Sequence, residues 1–231
     1  MRNALVRSAI VAATLLGLAS CAPQPNAPSP SADGQPRAES DARTSPSPAA
    51  VDGSGALLER VLDTGILEIG NPESAATLLI FFNHSCAYCE RFTGLHLPRL
   101  INDFVRPGKL KLHLIELALR KYPQSELTST ALLCGGMQGK GLPMHQFLVT
   151  NEQINLSAVL AHGEELGLDM EKLRLCMENP ALRETLKRQA SMAESLGVTL
   201  VPTFFLNGEK SLGLPDYPDL KGSIEKALRE N

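Results

Sequence analysis

The sequence predicts an α/β domain, and three observations carry that prediction. Residues 77–82 are continuously apolar and β-friendly, as a central strand covered on both faces would be. Residues 109–116 alternate Leu110, Leu112 and Leu114 with polar side chains and read as a second strand. Between them Tyr88, Phe92 and Leu95 fall on one helical face, and the helical pattern resumes at Ile101, Phe104 and Val105 beyond Pro98. Proline cannot donate the helical hydrogen bond, so a kink is expected there. A strand, a helix and a second strand of these lengths make a βαβ unit.

Ahead of the unit, residues 57–62 suggest a short helix, residues 65–69 a short strand, and Asn71, Pro72 and Glu73 a turn. Beyond it, residues 124–196 carry helical signals only, with breaks expected at 139–143, Gly167 and Pro180. Residues 203–206 then read as a strand, Asn207-Gly208 as a tight turn, and Leu220, Ile224 and Leu228 as the face of a closing helix. A helical insertion at about 122–196 therefore interrupts the sheet. The folded domain is expected over residues 55–231, a size that suits one domain.

The first 54 residues have a different composition. Arg2 and Arg7 accompany an apolar segment at 9–18 that is short for a bilayer span and reads as an export signal over residues 1–20. Leu18-Ala19-Ser20-Cys21 resembles a bacterial lipobox, in which cleavage before the Cys leaves Cys21 to carry acyl chains; an ordinary cleaved signal is the alternative. Residues 22–54 hold seven of the 16 prolines and almost no large apolar side chain, so they are expected to form a disordered Pro/Ser-rich stalk. Such a stalk reaches about 30 Å as a coil and roughly 100 Å fully extended.

Charge and cysteine usage narrow the function. The chain has 43% hydrophobic and 20% charged residues and a formal charge of -3, so no basic nucleic-acid surface is indicated. Removing the signal subtracts Arg2 and Arg7 and leaves 20 basic against 25 acidic side chains, or -5. Five cysteines are an awkward number in an oxidising compartment, but assigning Cys21 to lipid leaves Cys86, Cys89, Cys134 and Cys176, enough for two pairs.

Cys86 and Cys89 flank Ala87 and Tyr88 at the end of the first long strand, where the following helix should begin. A Cys-x-x-Cys there can close locally and exchange two electrons without a cofactor. An ordinary thiol is only about 3% ionised at pH 7, so a reactive one needs a lowered pKa. In the first helical turn Cys86 would gain this from unpaired N–H groups and the helix dipole, while Cys89 would lie deeper. Cys86 is then the nucleophile and Cys89 the resolving thiol. A structural disulfide and a metal site completed by His84 are the alternatives, although no second Cys-x-x-Cys or closely spaced His pair accompanies them, and His84 reads equally well as an exposed loop residue. Glu90 and Arg91 read as a solvated helix face, His96 and His145 as packing or surface residues, and the methionines as too scattered for copper.

Ile69-Gly70-Asn71-Pro72, Cys86-Ala87-Tyr88-Cys89, Ala131-Leu132-Leu133-Cys134 and the run from Gly197 through Val201-Pro202 to Phe205 occur in the order found in one family. From about Leu67 onward the chain resembles the DsbA-like branch of the thioredoxin superfamily, in particular its lipoprotein and DsbG-like members. The resemblance implies a thioredoxin-like fold with the helical insertion between the βαβ unit and a cis-proline hairpin. It implies that Pro202 is cis, faces the Cys pair and shapes the substrate groove, and that Val201, Ala87 and Tyr88 border an extended substrate peptide there. It also implies a Cys134 to Cys176 disulfide, whose loop of about 43 residues is worth roughly 4 kcal/mol on the chain-entropy model.

The function implied is that of a protein thiol-disulfide oxidoreductase, more an oxidase or isomerase than a reductase. It would be lipid-anchored in the cell envelope, periplasmic at the outer membrane or on the extracytoplasmic face of the cytoplasmic membrane, need no cofactor or metal, and exist as a monomer. Its partners would be exported proteins with thiols or disulfides and a membrane redox protein. A non-catalytic chaperone-like or surface binding module and a copper- or zinc-handling protein are the rival readings. Two departures stand out. Ile80 occupies the position, six residues before the first Cys, where many relatives carry an acid, and Ala87-Tyr88 differs from the Pro-His pair of the strongest oxidants.

Overall fold

The computed structural model describes residues 50–230. The signal segment, Cys21 and most of the predicted stalk lie outside the described residues. The described chain opens ahead of the predicted domain start at 55, with Ala50 buried and Val51 bridged to Leu57.

Six strands form one sheet in the order β1-β2-β4-β3-β5-β6. The strands are β1 (Glu59–Val61), β2 (Leu67–Ile69), β3 (Ala76–Phe82), β4 (Leu110–Glu116), β5 (Thr203–Leu206) and β6 (Glu209–Leu212). Only β3 and β4 run parallel, and the chain between them makes the crossover of the predicted βαβ unit. Antiparallel partners complete the sheet: β5 pairs with the other side of β3, and β2 with the other side of β4.

The helix expected at 57–62 is instead strand β1, antiparallel to β2. Six residues cannot repay helix nucleation, whereas a neighbouring strand satisfies their backbone at once. Gly65 makes the intervening turn with φ +83°, and a Cβ there would come within 2.3 Å of the Thr185 methyl group. Gln189 holds the same turn through a 2.8 Å hydrogen bond to the Gly65 carbonyl.

The crossover helix is broken, as Pro98 predicts. Helix α1 (Ala87–Leu95) ends at His96, α2 (Leu97–Leu100) starts with Pro98 in its first turn, and a π-helical segment, Ile101–Val105, follows. The face predicted for α1 is corrected, because Cys89, Phe92 and Thr93 are buried while Tyr88 and Leu95 are 57% and 56% exposed. Position 89 belongs to the buried stripe, which turns Tyr88 and Leu95 outward.

The insertion contains α3 (Ser125–Gly136), α4 (Gly141–Thr150), α5 (Leu156–Glu165), α6 (Met170–Met177) and α7 (Pro180–Ser195). Pro143 lies inside the first turn of α4, where no intrahelical N–H is needed, so that break closes by Gly141. A further break at 151–155, not anticipated from the sequence, ends at Asn155, whose side chain caps α5. Cys134 and Cys176 are joined by a disulfide that ties α3 to α6. The closing helix is α8 (Tyr217–Arg229).

Strand parity divides the core. Leu78, Ile80 and Phe82 of β3 and Leu110, Leu112 and Leu114 of β4 enter the larger cluster beside α1 and the insertion. Phe81 and Ile115 enter a smaller one with Ala193 and Phe205. No helix among the described residues is long and apolar enough to cross a membrane.

Candidate active site

The carboxyl ends of β3 and β4 and the entry to β5 converge on the Cys pair. Asn83 shapes the turn out of β3: its carbonyl accepts from the Cys86 amide at 3.1 Å and its Oδ1 from the Ser85 amide at 3.0 Å. Its side-chain amide donates to the Leu117 carbonyl and to Ser125 Oγ, both at 2.9 Å. A fully buried Asn thus locks the turn to β4 and α3.

Cys86 is the N-cap of α1, and its sulfur accepts from the Cys89 amide at 3.3 Å. The thiols are free, Cys86 half-buried and Cys89 buried. The Cys86 pKa is brought down to about 6, first by the hydrogen bond from the Cys89 thiol and then by the Cys89 and Tyr88 amides, against the opposing effect of burial. Cys89 is pushed far above the ordinary thiol range by its hydrogen bond to Cys86, by burial, and by the charges of Cys86 and Glu116. One sulfur is a ready anion and the other a retained thiol.

Alkylation of the reduced protein at Cys86 should therefore become half-maximal near pH 6, with Cys89 unmodified until the chain unfolds; equal labelling of both thiols by mass spectrometry would contradict this. The linkage has a definite sign. Because the folded pKa lies below the unfolded one, the thiolate's stabilisation of the reduced fold is fully present above pH 9 and lost as pH falls through 6. The melting temperature of the reduced form relative to the oxidised form should fall over that window.

Opposite the thiols, the Val201-Pro202 peptide bond is cis and the Val201 carbonyl oxygen lies 3.3 Å from Cys86 Sγ. A groove of about 510 Å³ runs from Cys86, Ala87 and the exposed Tyr88 across to Leu119, Leu200 and Val201. Pro202 is buried and does not line that groove; it borders a small hollow behind Cys89 together with Phe92 and His145. A second cleft, of about 350 Å³ and more polar, opens on the other side of Cys86 and is lined by His84, Ser85, Glu90 and Glu152.

Sequence reasoning missed Glu116, and of its two readings of His145, packing or surface, the structure supports packing. Glu116, at the end of a Leu-rich strand, is buried and hydrogen-bonded to His84, which is itself buried rather than an exposed loop residue. Parity was the available signal, since 116 continues the inward-facing series 110, 112 and 114. His145 is enclosed in the core, hydrogen-bonded to Thr93 Oγ1 at 2.9 Å, and its pKa is lowered to about 3 by burial. Among the described residues no group of three His, Cys, Asp or Glu side chains is arranged to hold a metal ion.

The model of the thioredoxin family matches residues 62–226. One relative is a Na(+)/H(+) antiporter NhaA of Herminiimonas arsenicoxydans, 27% identical over 175 residues. The match covers 75% of this chain and 27% of that protein, so the chain spans about a quarter of its length. Another, from Bacillus cereus, is named "Probable disulfide bond formation protein D" and is 23% identical over 70% of this chain and 78% of its own. Among solved structures, a thioredoxin-like oxidoreductase from Silicibacter pomeroyi DSS-3 is 26% identical, with a TM-score of 0.62 over 72% of this chain and 93% of that one.

Proposed function

The chain belongs to the thioredoxin family, and on that premise we propose that it is a lipid-anchored, DsbA-like thiol-disulfide oxidoreductase of exported proteins. The observation that carries the reading is the pairing of a half-buried Cys86 sulfur, low in pKa, with a buried Cys89 thiol held in reserve.

In the oxidising direction a substrate thiolate attacks Cys86 Sγ of the oxidised pair, a substrate–Cys86 disulfide forms, and Cys89 leaves. A second substrate thiolate then attacks the substrate sulfur and releases Cys86 as a thiolate. A leaving thiol of low pKa departs quickly and stabilises the reduced enzyme, which favours disulfide formation or isomerisation over reduction. The substrate lies extended in the groove, with the Val201 backbone and the Ala87 and Tyr88 side chains as its borders and Pro202 supporting the wall from behind.

Cys21 supplies the anchor and the residues from 22 to about 49 the tether, so that the domain works as a monomer on the periplasmic or extracytoplasmic face of a membrane. A membrane protein of matched redox chemistry resets the Cys pair, and no bound cofactor is needed. A non-catalytic module fits less well, because a permanent disulfide has no use for a depressed Cys86 pKa. A metal site completed by His84 fits poorly too, since both ring nitrogens are engaged, by Glu116 and by Ser85.

Cys89→Ser tests the function directly. The variant should accumulate substrate proteins in disulfide linkage to Cys86, recoverable from the cell envelope and released by reductant. Absence of any trapped protein, together with no exchange on a model peptide disulfide, would reject the proposal.

A further inference from the structure

Glu116 is the buried acid that the exchange described above leaves without a task. It stands opposite Phe82 in the β3–β4 register, at the level where β3 turns toward the Cys pair. Its side chain is fully enclosed. Oε1 accepts from the Thr128 hydroxyl at 2.5 Å and lies 2.9 Å from His84 Nδ1. Oε2 has no hydrogen-bond partner among the described residues. Enclosing a carboxylate with one oxygen unpaired costs stability, and a role for that oxygen explains why such a group is kept. The thiol whose ionisation Glu116 opposes is Cys89, which is buried in the same core cluster as Phe82. On its far side the network reaches the surface, because His84 Nε2 is 2.9 Å from Ser85 Oγ and Ser85 lines both clefts beside Cys86.

We propose that Glu116 is the proton acceptor and donor for Cys89, with Thr128 and His84 as positioning residues that fix Oε1 and leave Oε2 to the thiol. The inference rests on the oxidoreductase reading. As Cys89 sulfur attacks Cys86 Sγ of a mixed disulfide, its proton passes to Glu116 Oε2. The Cys86–Cys89 bond forms, the Cys86–substrate bond breaks, and the substrate sulfur leaves as a thiolate. In the reverse exchange Cys89 departs as a thiolate and takes the proton back. The acid thus enters from β4, where β3 offers Ile80.

The titratable groups around Glu116 come from three neighbours. Cys86 and Cys89 belong to the start of α1, and His84 to the turn after β3. His145 of α4 stacks edge-on to Phe82 at 4.3 Å, and its lowered pKa keeps it neutral in the working range. Glu90 and Glu152 rim the cleft that His84 lines.

The reduced full-length protein is mixed rapidly with the aromatic disulfide 5,5′-dithiobis(2-nitrobenzoate), and thiolate release is followed by absorbance. The first equivalent reports attack by Cys86, the second resolution by Cys89. Glu116→Gln should leave the first phase within about twofold. It should slow the second about 100-fold at pH 7, the low end of general-base contributions, and make its rate rise with hydroxide. Glu116→Asp should recover part of the loss. A folded Glu116→Gln protein with an unchanged second phase overturns the proposal, as does equal slowing of both phases with unaltered pH profiles, which marks a purely structural role. Should Glu116→Gln not fold, His84→Asn and Thr128→Val carry the test: selective slowing of the second phase with a shifted pH profile supports it, and an unchanged second phase in both overturns it. Release of a single equivalent by the wild-type protein rejects the oxidoreductase reading itself.

Discussion

Cys86→Ser should abolish disulfide exchange, lowering turnover of a peptide disulfide by at least about 10⁴-fold, the scale of loss when a covalent nucleophile is removed. The reason lies in the division of labour between the two sulfurs. Cys86 is half-buried at the N-terminus of α1, with a pKa brought down to about 6, whereas Cys89 is held as a thiol below it. Cys89 cannot substitute, because burial, the charge of Glu116 and its hydrogen bond to Cys86 all disfavour its anion. The backbone is expected to be undisturbed: a serine at the N-cap accepts the Cys89 amide as readily as the sulfur does, so the melting temperature should shift by only a few degrees. Residual activity above about 1% in Cys86→Ser would mean that Cys89 attacks substrates itself, and the assignment of roles would be reversed.

Removing the second pair should act on stability alone. Cys134→Ala/Cys176→Ala releases a link across 42 positions between α3 and α6, and the chain-entropy relation gives a loss of roughly 4 kcal/mol. For a domain of this size that corresponds to a fall in melting temperature of roughly 8–16 °C. Exchange activity at 25 °C should stay within about threefold, because the disulfide lies at the opposite end of α3 from Thr128, the residue that reaches Glu116. Thermal unfolding of the double variant under non-reducing conditions measures the first effect and a peptide-disulfide assay the second. A melting temperature within 3 °C of the parent would show that the bridge adds little to the native fold.

Much of this architecture was legible where periodicity was strong. The apolar run of β3, the alternation of β4 and the closing face of α8 specify their own conformations, and all three match the observed elements. Short segments were not legible in the same way. Within residues 57–62 the observed element is the strand Glu59–Val61, formed because β2 lies alongside, which is a tertiary fact. At the site, the Cys pair could be read from spacing and chain order. For Glu116 strand parity was the sole hint, because a lone acid at the end of an apolar strand looks like solvent exposure until β4 is paired with β3 and α3 covers it. His84 was open to opposite readings for the same reason, since its partners Glu116 and Thr128 come from other elements.

The order of the sheet also bears on how the protein matures. β3 joins β4 through one local crossover, but the strand on its other side, β5, is drawn from beyond the whole helical insertion; the Cys86 Sγ to Val201 contact spans 115 positions. Closing so long a loop is entropically slow, so the wall facing the thiols completes only after nearly all of the chain has left the ribosome. Until then Cys86, Cys89 and Cys134 share an unfinished chain, and any of them can pair wrongly. The disulfide of the insertion joins two helices that lie on the N-terminal side of β5, so it can close before that wall is built. The order in which the segments emerge therefore lets the insertion disulfide close before the surroundings of Cys86 and Cys89 are complete.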